Sequence, residues 1–405
     1  MSSSTQESLT PWQFAPITRC IPEDQYTDLE VIDLSLFSLV SGDAATAQAE
    51  AQKELIKRTL NAFNTTGFIA LKGHGFTHEE LEEQWALGKL LFENVSEEEK
   101  HRLLANIKEG SWAGYKPQGY HKRPDGSFDC VEHYDFYPNT MLERNLPEVA
   151  KPYVKDFRKF LEHQHYVVFR KLLAVLSLGM ELDQDFLWKL HHRGTDMNDG
   201  ALQGGPDEEI NWKHGKDDLR YVMYHPPPEE DREKKKNLWV SGHTDFGSVT
   251  FLHSQPIAGL QVLMPNGQWR YIRHYPDHLI VSLGDSMEFL TGGVLKAAPH
   301  RVIEPPEDQR HLDRLALVYF FPFLPDVKLS LIDHPSLKKL GAKDVWEEYH
   351  KLGGKVLTST DWIDRRSKLV GTKRLEREDK DAESVLDDIH FRHHPEYAKA
   401  AAVAA

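Results

Sequence analysis

Between Leu219 and Phe321 the chain breaks into short apolar runs separated by Gly, Pro and Asn turns, and this constrains the fold more than any other feature. The runs predict strands at Leu219–Tyr224, Leu238–Gly242, Ser248–Leu252, Gly259–Met264, Trp269–Ile272, Leu279–Leu283, Met287–Leu290, His300–Glu304 and Leu315–Phe321. Many short strands with frequent turns describe a sandwich or jelly roll, in which both sheets hide one face from water.

Into this region falls Ser241-Gly242-His243-Thr244-Asp245-Phe246-Gly247. Residues two apart on a strand point to one face, so His243 and Asp245 can aim an imidazole and a carboxylate at a common point. His300 opens a later strand and can complete a 2-His-1-carboxylate face. That set suits Fe(II), holding three sites and leaving the opposite ones open. Arg314 begins an apolar strand, where a lone cation requires an anionic partner.

Taken together, His243-x-Asp245, the Gly284-Asp285 turn, His300 and Arg314 resemble the iron(II)/2-oxoglutarate-dependent dioxygenases of the isopenicillin N synthase-like family, over about Leu219 to Pro325. The resemblance implies a mainly β fold with flanking helices. Its double-stranded β-helix (jelly-roll) core would be wrapped by N- and C-terminal helices. It also implies iron held by His243, Asp245 and His300, with 2-oxoglutarate and O2 as co-substrates. Arg314 would pair with the far carboxylate of 2-oxoglutarate. The reaction expected is hydroxylation, desaturation or ring closure of a small metabolite, with release of succinate and CO2. Three alternatives stand beside it: fragmentation of 2-oxoglutarate to ethylene, oxidation without 2-oxoglutarate, and a non-enzymatic ligand-binding barrel.

Three departures bear on the site. Ala316 stands where the family places Ser two residues after the Arg, so Ser248 or Thr250 would have to supply the missing hydroxyl. Met223-Tyr224-His225 replaces the family's Asn-x-Tyr, leaving either Tyr224 or His225 as a co-substrate contact. The stretch from His300 to Arg314 is longer than usual and contains Arg310, a rival cation in a polar loop. Tyr115, Phe136, Arg220 and Phe320 are the substrate-side candidates. For Tyr115 and Phe136 the reading is open between lining the cavity and packing. His74, in a shared Gly73-His74-Gly75 loop, reads as structural, and His393-His394 as a surface feature.

Along the chain, 1–28 is expected as a flexible arm and 29–182 as an α/β region with a spine helix over Pro152–Leu182. The catalytic core follows at 183–325, then C-terminal helices and a charged tail at 326–405; the N-terminal region and core form one unit. Helices are expected around Ala44–Asn64, within 78–106, at Leu337–Leu352 and at Asp361–Leu369. The loop-rich stretch 183–217 is a natural source of substrate contacts. A net charge of −14 disfavours nucleic acid as a partner, and the short Lys234–Lys236 run reads as solvated. With two cysteines, Cys20 and Cys130, no apolar membrane-length run and no signal-like start, the expectation is a cytoplasmic protein. The oligomeric state is left open.

Overall fold

The computed structural model describes residues 8–39, 46–121, 128–138, 146–192, 216–229, 232, 237–370 and 381–392. Its strands in chain order are β1 (Tyr26–Thr27), β2 (Glu30–Asp33), β3 (Phe68–Lys72), β4 (Gly114–Lys116), β5 (Val131–Phe136) and β6 (Asp218–Tyr224). They continue as β7 (Leu238–His243), β8 (Val249–His253), β9 (Leu260–Leu263), β10 (Trp269–Ile272), β11 (Leu279–Leu283), β12 (His300–Ile303) and β13 (Arg314–Phe321).

Two sheets form from these strands. The smaller has the order β1-β10-β9-β12-β7 and the larger β2-β3-β11-β8-β13-β6-β5-β4. Non-sequential neighbours such as β8 between β11 and β13 are the crossovers of a jelly roll, so the expected double-stranded β-helix is present.

Alternation along β13 shows how the layers are built. Leu315, Leu317, Tyr319 and Phe321 point outward into the main hydrophobic core, together with Trp85, Phe157, Phe169 and Leu172 of the helices. Arg314, Val318 and Phe320 point inward and line a cavity between the sheets. The expected spine is continuous but not uniform. Helices Val154–Glu162 and Arg170–Gly179 are joined by a wider π-helical stretch, His163–Phe169. There, buried His165 bonds Asp217 at 2.7 Å.

Four local expectations are corrected. Met287–Leu290 is helical, within Asp285–Thr291, because the Gly284-Asp285 turn starts a helix that packs Phe289 on Trp346 and Trp362. The segment 1–28 is not a flexible arm from residue 8 onward. Thr18 donates to Asp308 at 2.7 Å, Gln309 donates to the Pro16 carbonyl at 2.7 Å, and β1 adds to the small sheet beside β10. Its partners lie more than two hundred residues away, so its polar sequence carries no periodicity. The Leu337–Leu352 helix is two short ones, Pro335–Lys339 and Glu347–Lys351. Within the charged tail, Ala382–Phe391 is a helix capped by Asp381, with Val385, Leu386 and Ile389 buried. Residues 193–215, Lys234–Lys236 and His393-His394 fall outside the described residues.

Candidate active site

His243 ends β7 and His300 opens β12, and the antiparallel register sets the two directly opposite each other. Their rings lie 4.5 Å apart between centroids. Each imidazole is oriented by its own strand: Nδ1–H of His243 donates to the Ser241 carbonyl (2.9 Å) and that of His300 to Ala298 (3.1 Å). This leaves both Nε2 atoms free to ligate. Asp245 places Oδ1 3.7 Å from His300 Nε2. These three are the one group of metal-ligating side chains found together among the described residues, with ligand atoms within 4.8 Å of one another. Burial alone would raise the Asp245 pKa. The two imidazoles and the Thr250 and Ser282 hydroxyls outweigh it and hold the carboxyl below its usual range. Burial, then His300, lowers the His243 pKa to about 4. A carboxylate and two imidazoles with Nε2 turned inward fit a divalent iron.

The Gly284-Asp285 turn latches this strand end. Asp285 N–H donates to the Asp245 carbonyl (2.8 Å) and Ser286 N–H to Gly247 (3.1 Å). A Cβ on Gly284 would sit 2.4 Å from the Gly247 oxygen, so only glycine permits the approach. Thr244 donates its hydroxyl to Asp285 (2.7 Å).

Above the turn sits Arg366, which sequence reasoning missed. It lies on the helix Ser359–Lys368 and is 2 % exposed. Its guanidinium donates to the Thr244 carbonyl (2.9 Å) and the His390 carbonyl (3.0 Å), with Asp285 at 3.5 Å. One side chain thus ties the helices Ser359–Lys368 and Ala382–Phe391 to the peptide between two candidate ligands. His390, Phe391, Ile363 and Leu369 line the cavity, so the tail forms part of its wall. We expect Arg366→Met to weaken iron affinity by roughly 10- to 100-fold, as losing an outer-shell partner does elsewhere. An iron titration beside circular dichroism checks it, and unchanged affinity would make the contact merely structural.

The cavity measures about 410 Å³ and runs from the triad to Arg314 on one side and Arg220 on the other. Arg314 is 4 % exposed and donates from Nε to the Ile257 carbonyl (3.2 Å). Burial lowers its pKa, offset in part by Tyr224, whose ring lies 5.2 Å from the guanidinium. Its strand register pairs it with Tyr224, and the Tyr224 ring stacks on Trp239. Arg310 forms only a 3.7 Å pair with Glu307 and does not line the cavity. Between Tyr224 and His225, only Tyr224 faces the cavity.

His225 points the other way, bonded to Glu132 (2.8 Å) and Asp313 (3.0 Å). Burial would lower its pKa, but the bonds to Asp313 and Glu132 push it up to about 9 from 6.5. Stability from this clamp is therefore complete below the unfolded value and lost as pH rises through about 9. Wild-type Tm should fall between pH 6.5 and 9.5 by a few degrees more than that of His225→Gln; parallel pH curves would refute the clamp.

Of the substrate-side candidates, Arg220 and Phe320 line the cavity, whereas Tyr115 and Phe136 do not. Tyr115 donates to Glu132 (2.5 Å), and Phe136 is fully buried against Phe157 and Tyr221. On β5 the cavity face carries Val131 and His133, one residue out of step with the aromatic run. Ala316 is buried beside Tyr224 and Trp239. Ser248 donates to the Phe321 carbonyl and does not line the cavity, while Thr250 does, beside Asp245. His74 is structural, bonded to the Asp277 carbonyl at 2.7 Å.

The sequence profile of the 2OG-Fe(II) oxygenase superfamily matches residues 218–322, and that of the N-terminal region of the non-haem dioxygenases in morphine synthesis matches 29–154. Homoarginine-6-hydroxylase of Glycine max is 26% identical over 353 residues, covering 82% of this chain and 98% of that protein. Flavonol synthase/flavanone 3-hydroxylase of Petunia hybrida is 28% identical over 254 residues, 62% of this chain and 65% of that protein. In structure, a full-length Neurospora crassa protein solved with alpha-KG and thymine superposes with a TM-score of 0.66. It is 20% identical and the match covers 86% of this chain and 99% of that one, a likeness of fold.

Proposed function

Because this chain belongs to the isopenicillin N synthase-like iron(II)/2-oxoglutarate-dependent dioxygenases, an oxidoreductase family using Fe(II), 2-oxoglutarate and O2, we propose that it oxidises a small metabolite by hydroxylation, desaturation or ring closure. In this reading His243, Asp245 and His300 hold the iron, and Arg314 with Tyr224 holds the far carboxylate of 2-oxoglutarate. The observation that carries it is Arg314. Five cations line the cavity, and among the described residues it alone has no carboxylate partner. A buried unpaired guanidinium is costly unless a ligand supplies the anion. A dianion with one carboxylate left over from metal chelation supplies it.

Iron with 2-oxoglutarate and O2 provides the oxidising chemistry, and succinate and CO2 leave as co-products. The protein's part is positioning. Ser241 and Ala298 carbonyls fix the ring orientations of His243 and His300. The Tyr224 hydroxyl takes the place of the Ser that Ala316 replaces, because strand register sets Tyr224 against Arg314 and the guanidinium lies 5.2 Å from its ring. Val222, Leu252, Val302 and Val318 make the wall between apolar and exclude water. An oxidase working without 2-oxoglutarate would have no use for Arg314.

No described helix is long and apolar enough to cross a membrane. The test is an anaerobic Fe(II) titration with and without 2-oxoglutarate, read by visible absorption. Keto-acid chelation should add a weak metal-to-ligand charge-transfer band; iron binding with no band at any concentration would overturn the co-substrate role. Succinate rather than ethylene as the product then separates oxygenation from fragmentation.

A further inference from the structure

Resting on the reading above, we propose that the Arg220 end of the cavity binds an uncharged, planar aromatic or heteroaromatic ring that presents a carbonyl beside an N–H or O–H. The charge follows from pairing. Lys116 meets Asp129 at 2.7 Å, Lys216 meets Asp364 at 3.5 Å, and Arg366 meets Asp285. Arg220 donates from Nε to Asp135 (2.5 Å), with Nη2 3.3 Å from Asp218. Burial and the neighbouring Asp135 carboxylate raise the Asp218 pKa well above the usual range. Each of these cations thus already has a carboxylate partner. A carboxylate substrate would find no spare charge here, in contrast to the Arg314 end.

The shape follows from the rings. The Arg220 guanidinium lies over both Trp112 (5.1 Å) and Phe320 (4.9 Å), and His133 lies 5.8 Å from Trp112 at an interplanar angle of 34°. These flat faces favour a flat ligand. The hydrogen-bonding pattern follows from what the two polar groups have left. Arg220 has Nε and Nη2 engaged and is 20% exposed, so its remaining N–H groups can donate to a carbonyl. His133 lines the cavity with Nδ1 bonded to Asp135. Burial, with Arg220 and Lys116 nearby, lowers its pKa well below the usual value. With its proton on Nδ1, Nε2 is an acceptor and asks the ligand for a donor. Both groups hang on Asp135, so the ligand's acceptor and donor must be neighbours.

Along β6, Arg220 lies four residues from Tyr224, roughly 13 Å at strand rise. That separation leaves room for 2-oxoglutarate at one end and a ring at the other.

The test uses the full-length protein with Fe(II) and 2-oxoglutarate under anaerobic conditions, and three probes of similar shape: 2-quinolone, N-methyl-2-quinolone and 2-naphthoate. Binding is read by saturation-transfer NMR and tryptophan quenching. We expect 2-quinolone to bind about tenfold more tightly than either other probe, and His133→Phe to remove its advantage over the N-methyl compound. Naphthoate binding as tightly as the quinolone, equal affinity for both quinolones in wild type, or no ring binding would each overturn the proposal. The charge-transfer band is read in the same samples. If it forms and no ring binds, the subsite is wrong and the co-substrate reading stands. If it fails to form while 2-quinolone binds selectively, the reverse holds.

Discussion

Asp245→Ala is expected to abolish turnover and to lower iron affinity by more than about 100-fold, beyond the loss typical of an outer-shell partner. The carboxylate is the only anion in the triad, and two imidazoles alone do not hold a labile divalent ion in competition with water. The variant should still fold. Asp245 is buried with its charge held by hydroxyls and imidazoles, and removing it removes a desolvation cost along with those bonds. Iron stoichiometry, succinate release and Tm are measured together. Retained iron with retained turnover would remove Asp245 from the ligand set. His74→Ala is the matched control, since that ring bonds the Asp277 carbonyl away from the cavity and its loss should leave iron binding unchanged.

The second large effect concerns Arg314. Arg314→Ala should raise the 2-oxoglutarate concentration needed for half-saturation by roughly 100-fold, equivalent to about 2.7 kcal/mol, from losing charge-assisted hydrogen bonds to a carboxylate. Arg314→Lys should fall between, because an ammonium cannot make the two-pronged contact. A second readout separates binding from structure. Without 2-oxoglutarate the Ala variant should melt no lower than wild type, since an unpaired buried cation is gone. With 2-oxoglutarate, wild type should gain Tm by mass action and the variant should not. An equal ligand-induced gain in both would place the co-substrate carboxylate elsewhere.

Much of this site was legible in the chain. The two-residue spacing of His243 and Asp245 on one strand, and Arg314 at the head of an apolar strand, already specify ligand chemistry, because strand alternation acts over neighbouring residues. The strand positions were equally local, with one exception. Met287–Leu290 is a short apolar run of the kind that periodicity does not assign, and packing of Phe289 on two tryptophans decided for helix.

Face and closure were not local. Tyr115 and Phe136 have the composition of pocket aromatics, yet the pairing of β5 with β6 turns Tyr134 and Phe136 to the helix layer and His133 to the cavity. A shift of one residue would reverse this, and nothing inside β5 sets it. Similarly, Arg366 stands among charged residues on a helix, and its partners Thr244, Asp285 and His390 come from three separate segments. The sequence by itself determined which chemical groups exist and which neighbours share a face. Only the tertiary structure decided which faces meet and which cations are neutralised, because those depend on pairings between separate segments, such as Arg220 with Asp135 or Arg366 with Thr244, that no local pattern sets.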